Sequence, residues 1–259
     1  LALKNVKRCS KKHKVSSSLI NFLSSDYIIP EPYGVTLNIS PWNYPFQLSI
    51  SPLIGAVAAG NTVILKPSEF SSKTSEIIKK IIENTFEKGH VDVILGGPEI
   101  GSKLLDFNWD YIFFTGSTNI GKIVAQKAAI NLTPTTLELG GKNPCIVDET
   151  ANLKVASKRI VFGKFLNCGQ TCIAPDFILV HESVKKDFTE KIIERIRKIY
   201  NEDVENSENY SRIINKKHFS RLIKLLEKDK IIYGGKNNPN SNFIEPTLID
   251  GSNFNSSLM

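Results

Sequence analysis

Two cysteines lie four residues apart between Phe165 and Phe177, in the run Asn-Cys-Gly-Gln-Thr-Cys-Ile-Ala-Pro-Asp. A thiolate is a nucleophile, whereas a free cysteine is more often a small buried apolar residue. The glycine turn between two apolar segments favours the first interpretation for Cys172. We interpret Cys168, one helical turn earlier, as a packing residue or a redox partner. The spacing is not that of a zinc knuckle and no second ligand pair accompanies it, so the sequence predicts no metal.

An amide and a carboxylate elsewhere in the chain could assist a nucleophilic cysteine. Asn43 lies between two prolines and two aromatic residues, in a rigid turn that can direct its side-chain amide. The alternative is an ordinary turn asparagine. Glu138 lies between two leucines, where partial desolvation would raise its pKa toward the range useful for a general base. The alternative is a structural ion pair with Lys142.

Two further segments could hold a dinucleotide. Residues 116–121 read Gly-Ser-Thr-Asn-Ile-Gly between a predicted strand and a predicted helix, where backbone N–H groups can meet a phosphate. Thr118 replaces the middle glycine of the usual fingerprint, which normally lets the pyrophosphate approach the backbone. Lys66 and Glu69 follow another predicted strand, and a cation and a carboxylate at this spacing can reach a ribose. The alternatives are a glycine-capped helix without a ligand and a surface ion pair.

Alternating strands and helices must position these residues. The alternation predicts βαβ units and a mainly parallel sheet, hence an α/β fold. Such folds carry their chemistry beyond the carboxyl ends of the strands. The predicted strands are 26–30, 35–39, 62–65, 91–95, 111–115, 136–139, 144–147 and 177–180, and the predicted helices are 47–59, 77–86, 120–130, 152–166, 184–199 and 219–226.

One predicted helix carries a clear apolar stripe. We expect Gly89 to end this helix and the lysines and glutamates opposite the stripe to face solvent. Further along, residues 234–242 are predicted to form a polar loop. The stripe comprises Ile77, Ile78, Ile81, Ile82 and Phe86.

The composition is that of a globular protein and not of a disordered one. The chain has 259 residues, 41% hydrophobic and 23% charged, enough for one large domain or two ordinary ones. Its net charge of +7 comes mostly from six of the 33 basic residues, which precede the first acidic residue; the other 27 nearly balance 26 acidic residues. We therefore expect no nucleic-acid partner, with salt-sensitive binding through this segment as the alternative. The six are Lys4, Lys7, Arg8, Lys11, Lys12 and Lys14.

Cysteine usage and the chain ends add two expectations. Four irregularly spaced cysteines without a secretory segment fit a reducing compartment. The chain starts with Leu1 and its only methionine is Met259, so we expect an internal piece of a longer protein.

Five ordered motifs resemble those of the aldehyde dehydrogenase superfamily, and the cysteine run resembles its class 3, fatty-aldehyde-type branch. The resemblance covers most of the chain. It implies a Rossmann-like NAD(P)-binding domain over residues 1–136, incomplete at its N-terminus, and part of an α/β catalytic domain over residues 137–259. Besides the cysteine run, the motifs are Pro41-Trp42-Asn43-Tyr44-Pro45, Lys66-Pro67-Ser68-Glu69, Phe114-Thr115-Gly116-Ser117-Thr118 and Leu137-Glu138-Leu139-Gly140-Gly141-Lys142.

The resemblance also implies roles for individual residues. Cys172 would form a thiohemiacetal and then a thioester, with the oxyanion held by Asn43 and the Cys172 backbone N–H. Glu138 would activate the water that releases the acid, and could also deprotonate the thiol. The carboxylate of Glu69 would repel a 2′-phosphate, so NAD is the expected cofactor, with NADP as the alternative. The implied cofactor-binding residues are Trp42, Lys66, Glu69, Gly116, Ser117 and Gly121.

The expected substrate is a small-molecule aldehyde, medium- or long-chain aliphatic or aromatic, and the full-length protein is expected to be a homodimer. The family's next motif, Glu-x-Phe-Gly-Pro, whose glutamate anchors the nicotinamide ribose, lies outside this chain. A class 3 protein would be cytoplasmic, or membrane-associated through a C-terminal tail also outside it. The alternatives are a catalytically silent fragment or NAD-binding scaffold, and a thiol esterase or acyl-transfer enzyme.

Overall fold

A computed structural model describes residues 2–226, 230–251 and 254–259. The chain divides into two compact units, Leu1–Leu139 and Gly140–Met259. Each unit has its own apolar core.

The first unit opens with a helix and a hairpin and continues into the predicted sheet. Helix α1 spans Ala2–Cys9, and β1, His13–Val15, pairs antiparallel with β2, Asp26–Ile28, across a 3₁₀ turn at Leu19–Asn21. A five-stranded sheet follows in the order β5-β4-β3-β6-β7, with every pairing parallel. The predicted parallel α/β architecture is therefore confirmed. The strands are β3 Val35–Ile39, β4 Thr62–Lys66, β5 Val91–Val93, β6 Tyr111–Gly116 and β7 Thr135–Leu139.

Helices lie between the strands along the chain, and the sheet carries an apolar core on each face. One core includes Leu53, Leu65 and Ile78, and the other includes Leu37 and Val124. Covering both faces is the expected arrangement for a parallel sheet. The helices are α2 Pro45–Ala58, α3 Ser72–Thr85, α4 Pro98–Leu104 and α5 Thr118–Ile130, with a 3₁₀ turn at Glu69–Ser71.

The predicted helix that became α3 differs from expectation in two ways. It ends at Thr85, because Phe86 takes an extended conformation, and Gly89 lies beyond it in the turn to β5. Ile77 and Ile81 are 56% and 41% exposed, although the stripe predicted that both would be buried. The helix rests on the sheet along a narrower line that buries Ser75, Ile78 and Ile82.

The second unit begins with a parallel βαβ unit. Strand β8, Asn143–Val147, pairs with β9, Pro175–Val180, and the connection between them contains α6, Leu153–Phe165, and a 3₁₀ segment at Leu166–Gly169. Helix α7, Glu182–Tyr200, follows and packs against α6. Its predicted apolar stripe is confirmed at Phe188, Ile192 and Ile196, which are buried in the core of this unit.

The remaining elements of the second unit are short. Helix α8 spans Lys216–Ile223, so it begins and ends three residues earlier than the predicted helix at 219–226, and Phe219 is buried. The predicted polar loop at 234–242 is wrong in part, because it contains β11, which pairs with β12. The strands are β10 Ile231–Tyr233, β11 Asn237–Asn238, β12 Phe243–Ile244 and β13 Leu248–Ile249.

Strand β7 forms the edge of the sheet of the first unit, so this unit extends through Leu139. The assignment of residues 1–136 to a cofactor domain and residues 137–259 to a catalytic domain stays a prediction. Within the described residues, no helix is long and apolar enough to cross a membrane. The same residues contain no group of three or more His, Cys, Asp or Glu side chains that could hold a metal ion.

Candidate active site

Most of the predicted site residues of the first unit follow the carboxyl ends of neighbouring parallel strands. Asn43 follows β3, Lys66 ends β4, Gly116 ends β6, and Glu138 lies one residue before the end of β7. In register, Ile39 pairs with Lys66, and Gly116 pairs with Leu139, so these strand ends are level. The sheet therefore brings the four segments to one edge, the edge at which open α/β sheets bind ligands.

The turn that carries Asn43 is fixed at both ends. Pro45 begins α2, and the Asn43 Oδ1 accepts a hydrogen bond from the Tyr44 backbone N–H at 3.1 Å. Just before the turn, the buried hydroxyls of Ser40 and Ser49 lie 2.6 Å apart and join β3 to α2. With Oδ1 directed at the Tyr44 amide, Nδ2 is the end of the Asn43 side chain that can donate to an oxyanion.

The buried side chain in the Lys66–Glu69 pair is the lysine. Its side chain is 5% exposed, and its Nζ lies 3.4 Å from the Glu69 Oε2 and donates to the Pro67 carbonyl at 3.2 Å. Gly101 of α4 lies beside this stem, since a Cβ there would be in ordinary van der Waals contact with the Lys66 Cε at 3.5 Å. The alternative of a surface ion pair is therefore wrong for Lys66. Glu69, at 30% side-chain exposure, retains a carboxylate edge toward solvent.

The two glycines of the predicted phosphate loop are packed closely against side chains of β6 and β7. A Cβ at Gly116 would lie 2.6 Å from the Phe114 Cζ, and one at Gly121 would lie 2.7 Å from the Leu139 Cδ2. Between them, the Ser117 Oγ accepts a hydrogen bond from the Ile120 N–H at 3.4 Å and caps α5. The first turn of α5 is exposed, so the N-terminus of this helix is open to solvent, as anion binding requires.

The expected desolvation of Glu138 is wrong. Glu138 is exposed, although Leu137 and Leu139 are partly buried in the core of the first unit. Successive side chains of a strand point to opposite faces, so leucines on either side in sequence cannot cover the glutamate between them. Lys142, the neighbour that offered Glu138 a structural role, binds Asp176 and the Leu258 carbonyl within its own unit.

Cys172 belongs to the second unit, where it is exposed at the turn that leads into β9. The Ala174 N–H donates to the Thr171 carbonyl at 3.1 Å and closes the turn. Asn143, the first residue of β8, donates from Nδ2 to the carbonyls of Cys172 at 2.7 Å and Ala174 at 3.1 Å. An accessible thiol on an anchored turn can act as a nucleophile.

The residues just before this turn have an unusual backbone. Asn167, Cys168 and Gly169 take positive φ angles of 53°, 58° and 77° in succession. Cys168 packs against the core of the second unit, and burial raises the pKa of its thiol, opposed by a hydrogen bond with Tyr210 and the charge of Arg212. A partly buried thiol whose pKa is raised is less reactive, which favours the packing interpretation of Cys168 over the redox one.

A cation that no sequence pattern indicated lies next to this segment. The Lys164 Nζ lies 3.7 Å from the Asp176 Oδ1, and a Cβ at Gly169 would lie 3.8 Å from the Lys164 Cε. Burial lowers the pKa of Lys164, while the Asp176 carboxylate opposes that shift. The signal that could have found this cation was Lys164 itself, a lysine within the otherwise apolar run before the two cysteines. No sequence pattern indicated a role for Asn143 or Gln170 either.

The sequence and fold were compared with those of known proteins. The model of the aldehyde dehydrogenase family matches residues 6–259. The chain is 50% identical to 4,4'-diaponeurosporen-aldehyde dehydrogenase of Staphylococcus aureus over 261 residues, covering 100% of this chain and 57% of that protein. It is 45% identical to aldehyde dehydrogenase family 3 member A2 of Pongo abelii, covering 95% of this chain and 51% of that protein. The chain thus spans about half the length of the curated relatives it matches.

Solved structures agree with the sequence comparison. The substrate-bound state of Staphylococcus aureus AldH superposes with a TM-score of 0.93 at 50% identity, covering 100% of this chain and 57% of that one. PnpE in complex with nicotinamide adenine dinucleotide superposes with a TM-score of 0.84 at 28% identity, covering 95% and 53%.

Proposed function

This chain belongs to the aldehyde dehydrogenase family, and on that premise we propose that the protein oxidises an aldehyde to a carboxylic acid with NAD(P)⁺ through Cys172. The observation that carries the proposal is the exposed thiol of Cys172 on a turn whose carbonyls are bound by Asn143. A nucleophile on an anchored, accessible turn is what covalent catalysis on a carbonyl requires.

The proposed chemistry starts with addition of the Cys172 thiolate to the aldehyde carbonyl, which forms a C–S bond and an oxyanion. Asn43 Nδ2 and the Cys172 N–H are the proposed oxyanion donors, each worth about 3 kcal/mol of barrier. When bound, NAD(P)⁺ would supply the acceptor for the hydride that leaves this carbon. Glu138 accepts a proton from water, which attacks the resulting thioester and releases the thiolate and the acid. Overall, aldehyde, water and NAD(P)⁺ give carboxylate, NAD(P)H and two protons.

The first unit offers residues that fit a dinucleotide. Glu69, whose carboxylate edge is partly exposed, can accept hydrogen bonds from ribose hydroxyls, and the buried Lys66 holds it in place. Gly116 and Gly121 bring α5 close to the sheet, and the exposed first turn of α5 beside Ser117 can meet a phosphate. Trp42 lies in the turn after β3, at the same edge. A carboxylate at the ribose favours NAD, and NADP is the alternative cofactor.

We extend the proposal to the substrate and the assembly. A medium- or long-chain aliphatic or aromatic aldehyde is supported by the fatty-aldehyde type of the cysteine motif. It is also supported by the relative named for 4,4'-diaponeurosporen-aldehyde. We further propose that the full-length protein is a homodimer, cytoplasmic or membrane-associated through a C-terminal tail, as the resemblance to class 3 implies.

The test uses the full-length protein with a medium-chain aldehyde and NAD⁺, with NADH followed by absorbance. Cys172→Ser should abolish NADH formation. Cys9→Ser, which also removes an exposed thiol, should leave it unchanged. Full activity in Cys172→Ser would overturn the proposed mechanism. Cofactor-independent hydrolysis of a nitrophenyl ester without NADH formation from aldehydes would indicate a thiol esterase instead, and NAD binding without turnover would indicate a scaffold.

A further inference from the structure

Two side-chain amides bond to the backbone around Cys172: Gln170 binds the Asn167 carbonyl before it, and Asn143 binds the carbonyls of Cys172 and Ala174. We infer that Gln170 and Asn143 are positioning residues that fix the nucleophile and its backbone N–H for attack. The inference rests on the proposed function, because it takes Cys172 to be the nucleophile. Neither residue was assigned a role from the sequence.

The segment needs such anchors because its backbone is strained. Three successive residues, Asn167, Cys168 and Gly169, take left-handed φ angles. This conformation suits glycine, is tolerated by asparagine and is disfavoured for cysteine. Strained backbone persists only where surrounding contacts hold it, and it is concentrated at functional sites.

Gln170 supplies contacts of that kind. Its Nε2 donates to the Asn167 carbonyl at 3.1 Å, within the strained segment, and to the Arg212 carbonyl at 3.0 Å. Its Oε1 accepts from the Ile214 N–H at 3.0 Å. The segment that receives these bonds is itself fixed, since Ile213 is buried and its N–H donates to the Asn242 carbonyl at 3.1 Å. One side chain thus ties the strained turn to the core of the second unit.

Asn143 holds the other side of Cys172. Both of its hydrogen bonds come from Nδ2, one to the carbonyl of Cys172 itself and one to that of Ala174. Asn143 begins β8 and pairs with Pro175 of β9, so its side chain connects the turn to the β8–β9 sheet of this unit.

The two anchors leave a short span between them. Gln170 is two residues before Cys172, and Asn143 binds the Cys172 carbonyl directly. A rotation of this span would move both the Sγ and the backbone N–H proposed as an oxyanion donor. Displacement of a reacting group by about 1 Å can cost about a hundredfold in rate.

The test compares Gln170→Glu and Asn143→Asp with the wild type, in the full-length protein. Both changes nearly conserve shape and replace the donating amide nitrogen with a carboxylate oxygen that faces carbonyls. We expect kcat to fall by about tenfold to a hundredfold, with the KM for NAD⁺ changed by less than about twofold. The rate at which iodoacetamide alkylates Cys172, measured by peptide mass spectrometry, should fall as well.

Asn152→Ala is the matched control. Asn152 caps α6 in the same unit through its Oδ1, which accepts from the Val155 N–H at 3.1 Å, so its loss destabilises the unit without touching the cysteine turn. The control should alkylate and turn over like the wild type. If an acidic variant fails to fold, Gln170→Met or Asn143→Ser replaces it.

The outcomes separate the inference from the proposed function. Retained turnover in Cys172→Ser would refute the function, whereas the alkylation rates still measure the positioning. Folded Gln170 and Asn143 variants whose kcat and Cys172 alkylation rate match those of the wild type would overturn the inference. An equal slowing of alkylation in Asn152→Ala would also overturn it, because general destabilisation would then explain the effect.

Discussion

Replacing Gly121 with alanine should change the free energy of unfolding through two opposed effects, helix propensity and packing, at the proposed cofactor-binding edge. An exposed or buried glycine inside a helix costs about 0.5–1 kcal/mol relative to alanine, so the change is favourable in isolation. The new Cβ, however, would lie 2.7 Å from the Leu139 Cδ2, which is closer than van der Waals contact permits. Overpacking of this kind costs about 1–3 kcal/mol.

Gly55 provides the matched control within the same unit. It lies in α2, and a Cβ there meets nothing within 4 Å, so Gly55→Ala should gain the propensity term alone. The two variants share that term. The free energy of unfolding of Gly121→Ala should therefore lie about 1–3 kcal/mol below that of Gly55→Ala.

The assay is urea unfolding of the full-length variants, followed by circular dichroism, with the KM for NAD⁺ measured in parallel. Gly121→Ala should also raise the KM for NAD⁺, because pushing α5 from β7 moves the helix start that is proposed to meet the phosphate. Gly55→Ala should leave that KM unchanged. Equal stability of the two variants would refute the packing argument. A lower stability with an unchanged KM would refute the link from α5 to the cofactor.

Three further predictions follow from single side chains. Asn43→Ala should lower kcat by about a hundredfold to a thousandfold with little change in the KM for NAD⁺, and an unchanged kcat would remove Asn43 from the oxyanion site. Glu69→Gln should raise the ratio of kcat/KM for NADP⁺ to that for NAD⁺ by about tenfold, since it removes the charge that repels a 2′-phosphate. Glu76→Gln on the exposed surface of α3 is the control and should leave this ratio unchanged. An unchanged ratio in Glu69→Gln would contradict the placement of Glu69 at the ribose. Burial, together with the charges of Arg221 and Lys217, lowers the pKa of His218 below 6.5 in the folded protein. As the pH falls, His218 therefore becomes protonated in the unfolded chain before it does in the folded one. The free energy of unfolding decreases as the pH falls below about 6.5. His218→Gln should therefore lose less unfolding free energy than the wild type between about pH 7 and pH 5, and identical pH profiles would count against this origin.

Local patterns predicted the strands of the two parallel sheets and most helices, because period and turn residues are properties of short segments, but they missed β1 and the short strands after α8. The strand at 35–39 appears with the predicted bounds, and the helix ending at Ile130 differs from prediction only at its start. Glu138 shows where such patterns fail. Flanking leucines suggested desolvation, but a strand places them on the opposite face, so neighbours in sequence were not neighbours in space.

The contacts around Cys172 lay beyond local patterns altogether. Gln170 bonds to backbone groups 42 and 44 residues away, and Asn143 reaches across 29 and 31 residues. Nothing in the spacing of these residues indicates a pair of anchors. The stem of the buried Lys66 likewise lies beside Gly101 of α4, which is 35 residues further along the chain. The motif identified the nucleophile candidate, whereas only the assembled unit identified what holds it.

The strand order of the sheet has a consequence for how the chain folds as it is synthesised. Strand β3 pairs with β4 on one side as soon as both exist, but its other partner, β6, begins at Tyr111, far later in the chain. Until then the central strand presents an unpaired edge, which can recruit strands of other chains. Pairings between distant segments also close large loops and slow folding. We therefore expect a nascent chain that has completed β5 but not β6 to be a point of high aggregation risk during its biogenesis.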